Sequence, residues 1–213
     1  ASGITIHLRA DRRHIQDRDV IAVKERIATN LNLEMGNTPE ILEIALRVQP
    51  YEVCLVPENR QEITTEGGLG AAGQRRALQP TIESLRGAGI RVSLFIEPDP
   101  NQVDAAKELG AEMVELHTGA FANAAPLAYQ SELDRIRSAC EFAHSRGLQV
   151  NAGHGINYVN VLDLRRVPHI EVLNIGHSIV SRALYIGLES AVREMVSSMN
   201  GPVRAPGETW IPS

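Results

Sequence analysis

Two stretches of this chain share one grammar: Gln149–Gly155, QVNAGHG, and Glu171–His177, EVLNIGH, each carry an apolar run onto glycine and histidine. Histidine exchanges protons near neutral pH, and glycine lets backbone N–H groups approach an anion closely. A proton donor beside a phosphate is the chemistry such a pair offers. Other polar residues stand at equivalent places, at or just past the carboxyl end of a short apolar run. They are His7 and Arg9, Glu34, Glu58 with Thr64 and Thr65, Glu97, Glu115 with His117, and Asn174. Ionisable groups within or just after buried strands are costly unless partnered, and perturbed pKa values gather in such places. An enzyme is the reading that follows.

The individual residues differ in what they support. His7 is equally compatible with a hydrogen-bonded core histidine and with a base, but Arg9 lies two positions on and shares its strand face, placing a proton carrier beside an anion clamp. Glu34 sits between Leu33 and Met35, so a raised pKa is expected, which suits a general acid or base. Thr64-Thr65-Glu66-Gly67-Gly68 precedes a helix and reads as a capping loop, whose positive helix end also suits an anion. Gly155 and Gly176, flanking His154 and His177, suit close backbone contact with phosphate. A metal site built from His7, His117, His154, His177, Glu34 and Glu115 is the rival. No HxH or HExxH spacing supports it, and the basic first loop, Arg9, Arg12 and Arg13, favours an anionic substrate. The expectation is no metal, and no special role for His144 or His169.

These residues need a scaffold that brings strand ends together. Strands are expected at Gly3–Leu8, Asn32–Met35, Glu52–Pro57, Arg91–Ile96, Met113–Leu116, Gln149–Ala152 and Glu171–Ile175, covered on both faces. Between and after them come helices: one after Asp17 or Asp19, one opened by Thr38-Pro39, then Ala71–Arg86, one from Asp99-Pro100 to Gly110, Ser131–Ser145, Tyr158–Arg165 and a single Ile179–Met199. Seven strands alternating with seven helices are the mark of βα units around a parallel sheet. No GxGxxG follows the first strand, which disfavours a dinucleotide-binding open sheet. The expected fold is an α/β (β/α)8 barrel whose first βα unit, of ~30 residues, is absent from this sequence. Residues 1–200 form one domain in this reading, and 201–213, rich in Pro and Gly, a flexible tail.

Composition narrows the partners. The 213 residues carry a net charge of −5 and 43% hydrophobic content, which suits one packed core and argues against nucleic acid or an anionic membrane surface. Cys54 and Cys140 form no CxxC pair and read as buried small apolar residues. No apolar run approaches the ~20 residues that span a bilayer, so a cytoplasmic protein is expected.

The motifs HLRADRRHIQDRD, NLEMG, LVPENRQEITTEGGL, VSLFIEP, ELHTG, VNAGHGINYVNV and EVLNIGHSIVSRA together resemble the pyridoxine 5′-phosphate synthase family, from Gly3 to Met199. The resemblance implies a (β/α)8 barrel assembled as a homo-octamer, without metal or organic cofactor. It implies condensation of 3-amino-2-oxopropyl phosphate with 1-deoxy-D-xylulose 5-phosphate in vitamin B6 biosynthesis, releasing phosphate and water. His7 and Glu34 then fall on general bases, His154 on the proton donor and Glu115 on the carboxylate that stabilises the transition state. Arg9, His14 and Thr64 fall on contacts to the deoxyxylulose phosphate, and Gly155, Gly176 and His177 on contacts to the aminoketone phosphate. The family's opening strand, with its Asn-x-Asp-His motif and following Arg, has no counterpart here. Rival readings are a sugar-phosphate epimerase or metal-dependent hydrolase on the same fold, or an inactive truncated barrel.

Overall fold

The computed structural model of the chain describes residues 1–58 and 67–201. Seven strands form one sheet in strict sequence order, every pair parallel: β1 Gly3–Leu8, β2 Asn30–Met35, β3 Glu52–Leu55, β4 Arg91–Ile96, β5 Met113–His117, β6 Gln149–Gly153 and β7 Ile170–Asn174. The sheet curls so far that the Thr5 hydroxyl of β1 donates to Asn174 Oδ1 of β7 at 3.0 Å. Among the described residues, β1 and β7 pair with no further strand.

The strands are not apolar on both faces. One row of alternate residues, including Leu33, Met35, Val53, Leu55, Val92, Leu94, Ile96, Val114, Leu116 and Val150, packs outward against the helices as the main core. The other row faces the inside of the curl and is largely polar: Thr5, His7, Asn32, Glu34, Cys54, Ser93, Glu115, Asn151 and Asn174. A small apolar cluster of Cys54, Val56 and Phe95 also packs there. Period-two alternation therefore separates structure from chemistry. In the sequence the short runs hide this alternation behind single polar residues.

Helices α1 Asp17–Arg26, α2 Pro39–Val48, α3 Arg75–Gly87, α4 Pro100–Glu108, α5 Gly119–Ala122, α6 Pro126–Ser145, α7 Val161–Leu164, α8 His177–Ile186 and α9 Leu188–Asn200 cover the outside. Their starts follow local chemistry. Thr38 accepts from Ile41 N with Pro39 at the first turn, and Asp99 accepts from Asn101 N and Gln102 N ahead of Pro100. In α1 the cap is Gln16, and Asp19 contributes from the first turn by accepting Gln16 N–H at 2.9 Å.

Four helical expectations change. The last helix is two, α8 and α9, divided at Gly187, which adopts φ +82. A short α5 forms where only a loop was expected, and α6 begins at Pro126 rather than at Ser131. The segment from Ala71 opens as a 3-10 turn, Ala71–Gly73, and α3 starts only at Arg75 with Gln74 in the cap position. Gly67 and Gly68 therefore do not cap α3. Of the tail expected over 201–213, residues 202–213 lie outside the described residues, as does Thr64.

Candidate active site

Sheet register puts the site together from adjacent strands. His7 on β1 stands opposite Glu34 on β2, and Glu34 stands opposite Cys54 on β3. His7 Nδ1 lies 3.8 Å from Glu34 Oε2. His7 Nε2 lies 3.2 Å from Oε1 of Glu58, just beyond β3. Burial raises the Glu34 pKa, and the charge of His7 offsets part of that rise. A carboxyl group that holds its proton more tightly is a better general base.

Deeper inside, Glu115 is 2% exposed and ends a directed chain of hydrogen bonds. Asn32 Nδ2 donates to Thr5 Oγ1 at 3.3 Å, Thr5 donates to Asn174 Oδ1, and Asn174 Nδ2 donates to Glu115 Oε2 at 2.5 Å. The Cys54 thiol approaches the same Oε2 at 3.8 Å. Burial, then the charge of Glu34, push the Glu115 pKa up to about 8. Its other oxygen fills the place of an absent side chain: a Cβ on Gly153 would stand 2.1 Å from Glu115 Oε1. Glycine at 153 is thus required by the carboxylate of the neighbouring strand.

His154 follows β6 with φ +80, a left-handed conformation rare outside glycine and common at functional sites. Thr118 holds it there, its hydroxyl donating to Gly153 O at 2.8 Å and to His154 O at 2.6 Å. The His154 ring meets His117 edge to face, with centroids 4.9 Å apart. Glu97 Oε1 lies 2.7 Å from His117 Nδ1, while His117 Nε2 is buried without a hydrogen-bond partner. Burial, then the charge of His117, lower the His154 pKa, which eases the release of a proton.

The remaining expected residues lie at the rim. Arg9 is buried directly beyond β1, with Nε 3.6 Å from Asp11 Oδ1. Its neighbours in the basic loop are held by acids: Arg12 pairs with Asp17 at 2.8 Å and Glu40 at 2.7 Å, and Arg13 with Asp11 at 2.6 Å. The three arginines do not act as one patch. His14 is exposed on the loop before α1, and Gly176 and His177 are exposed at the start of α8. Ser178 of α8 donates to Ile156 O at 2.8 Å, tying that start to the loop carrying Gly155, whose carbonyl accepts from Asn160 Nδ2 at 3.1 Å.

Gly153 and Thr118 escaped sequence reasoning. Cys54 reads in the sequence only as a packing residue, Glu58, Glu97 and Asn174 stand at the expected strand ends with no role, and His117 has one only in the rival metal site. The strand-end position was the available signal. Among the described residues, no three His, Cys, Asp or Glu side chains cluster as a metal site.

The model of the family described as pyridoxal phosphate biosynthesis protein PdxJ matches residues 1–201. The pyridoxine 5′-phosphate synthase of Opitutus terrae is 55% identical over 202 residues, covering 94% of this chain and 82% of that protein. That of Akkermansia muciniphila is 57% identical over 196 residues, covering 92% and 80%. Among solved structures, 3-hexulose-6-phosphate synthase from Salmonella typhimurium superposes with a TM-score of 0.65 at 15% identity, covering 92% of this chain and 85% of that one. The 3-keto-L-gulonate-6-phosphate decarboxylase of Vibrio cholerae gives 0.63 at 13%, with the same coverages of 92% and 85%. These two likenesses are of fold. Sequence identity above half, sustained along nearly the whole chain, is of another order: the chain belongs to the pyridoxal phosphate biosynthesis protein PdxJ family.

Proposed function

We propose that the chain is a pyridoxine 5′-phosphate synthase, condensing 3-amino-2-oxopropyl phosphate with 1-deoxy-D-xylulose 5-phosphate to pyridoxine 5′-phosphate, inorganic phosphate and water. The observation that carries this reading is the pair His7 and Glu34, set side by side at the mouth of a parallel sheet and 3.8 Å apart. Joining an amine to a ketone, expelling water and closing an aromatic ring requires protons to move repeatedly over one substrate face. His7 and Glu34 take those protons. His154 returns one to the departing hydroxyl, and the buried Glu115 carboxyl stabilises the transition state. Arg9, His14 and Thr64 hold the deoxyxylulose phosphate, while Gly155, Gly176 and His177 hold the aminoketone phosphate at the positive end of α8.

Two structural proposals accompany the activity. A further βα unit seated between β1 and β7 completes the (β/α)8 barrel, which is supported by the two open edges and by the exposed Val180, Leu184, Tyr185 and Leu188 on the helices that follow β7. The subunits assemble as a homo-octamer in the cytoplasm, an assignment that rests on the family resemblance. Among the described residues, no helix is long and apolar enough to cross a membrane.

The test is incubation of the purified protein with the two phosphorylated ketones, following pyridoxine 5′-phosphate by chromatography and phosphate by a colorimetric assay. Equimolar release of both is expected. Absence of pyridoxine 5′-phosphate at every enzyme concentration would overturn the reading.

A further inference from the structure

Glu58 occupies a position that none of the roles above uses. Its carboxylate is the meeting point of three elements. Oε1 lies 3.2 Å from His7 Nε2 and accepts from Gly36 N at 3.1 Å, and Oε2 accepts from Ala10 N at 2.9 Å. The fit depends on Gly36, since a Cβ there would stand 2.8 Å from Glu58 Cδ. Burial alone would raise the Glu58 pKa, but the hydrogen bonds from His7, Ala10 and Gly36, together with the charge His7 carries when protonated, hold it below the ordinary carboxylate value. Glu58 is therefore ionised at neutral pH.

An ionised carboxylate only accepts hydrogen bonds, so the His7 nitrogen facing it carries hydrogen. Neutral imidazole has one N–H, and His7 Nδ1 is left with its lone pair. Nδ1 is the atom that faces Glu34. The charged groups around the His7 ring are thus Glu34 from β2 and Glu58 from beyond β3, with Arg9 just past the end of its own strand.

We propose that Glu58 is a positioning residue that locks His7 in the tautomer with hydrogen on Nε2, making Nδ1 the basic atom presented to substrate beside Glu34. When Nδ1 takes a substrate proton, the ring becomes imidazolium and its Nε2–H stays on Glu58, whose negative charge stabilises the cation. Handing that proton to the Glu34 carboxylate, or back to a later intermediate, restores the starting tautomer. The logic is that of a carboxylate orienting a histidine through its second nitrogen. It rests on reading His7 as a base, and it adds which atom is basic and what makes it so.

The experiment separates the two claims. Long-range 15N–1H NMR of selectively labelled protein, recorded above pH 8 without substrate, reads the His7 tautomer directly, with His7→Gln assigning the resonances. Wild type is expected to show hydrogen on Nε2. Glu58→Gln, nearly isosteric, should shift His7 toward a mixture of tautomers and lower kcat by about 10- to 100-fold, the scale known for carboxylates that orient metal-bound histidines. Glu58→Asp should recover part of both. A wild-type ring protonated on Nδ1, a tautomer unmoved by Glu58→Gln, or an unchanged kcat despite a moved tautomer would each overturn the proposal. If instead His7→Gln leaves product formation intact, the reading of His7 as base fails, while the NMR result still decides the tautomer.

Discussion

Glu34 and Glu115 line the same polar interior, and each charge makes the other more costly. Because Glu115 is the more deeply buried, it holds its proton up to about pH 8. That makes it a stability sensor with a definite sign. A folded-state pKa above the unfolded value means that its contribution is complete below the unfolded pKa, ~4.3, and is lost as pH rises through about 8. Replacing Glu115 by Gln keeps an acceptor for Asn174 and removes the titration. Urea midpoints of Glu115→Gln and wild type should therefore diverge between pH 5 and 8.5, with the variant increasingly the more stable. Parallel curves would mean that Glu115 is not held protonated. Glu34→Gln probes the other carboxyl: kcat should fall by ~10²–10⁴-fold, the usual scale of acid–base catalysis, with an unchanged circular dichroism spectrum, and turnover within threefold of wild type would remove Glu34 from the mechanism. The difference in legibility between these residues is physical. Glu34 announces itself because Leu33 and Met35 flank it. Glu58 does not, since its role exists only once β1, β2 and β3 bring His7, Gly36 and Ala10 to one carboxylate.

The elements were legible where local chemistry fixes them and blurred where neighbours do. Thr38-Pro39 and Asp99-Pro100 open helices at the expected residues, because cap and proline act within one turn. The division of the last helix at Gly187 lacked such a signal, since apolar residues continue on both sides of it. Gly153 carries no signal of its kind in the sequence: Gly155 and Gly176 read as anion contacts, whereas Gly153 makes room for a side chain of the next strand. A sequence shows that a glycine is present and not what would collide with it. The collision is testable. In Gly153→Ala the new methyl would stand 2.1 Å from Glu115 Oε1 and 3.2 Å from Asn174 Cβ, so β5 and β6 must move apart or Glu115 must turn. Overpacking of this kind costs ~1–3 kcal/mol. Thermal unfolding should show a lower Tm, and activity should fall further than Tm predicts because Glu115 is displaced. A variant equal to wild type in both would show that the carboxylate has another place to go.

At the scale of the molecule, parallel βα order and a polar mouth follow from seven strands alternating with helices, and the family resemblance implies the same parallel order. What the sequence left obscure is how unevenly the helices are held. Helix α3 buries Leu78, Ile82 and Leu85, each contributing ~1.5–3 kcal/mol of apolar transfer. Helix α8 has no fully buried residue: Leu184 and Tyr185 are 83% and 87% exposed, and it is held by half-buried Ile179 against the core, the Arg182–Glu194 ion pair to α9 and the Ser178 hydrogen bond to Ile156. An exposed ion pair contributes ~0–1 kcal/mol, far short of three buried side chains. Local opening should therefore cost least at α8, and native-state hydrogen exchange of this chain should find its amides exchanging roughly tenfold or more faster than those of α3. Since α8 also presents His177 at its first turn, phosphate at that end should slow its exchange selectively, because a ligand that binds only the closed form stabilises it by mass action. Equal protection of α8 and α3 would mean that the apolar stripe from Val180 to Leu188 is covered in solution. Addition of an eighth βα unit should then leave α8 protection unchanged, whereas an open stripe predicts a large gain.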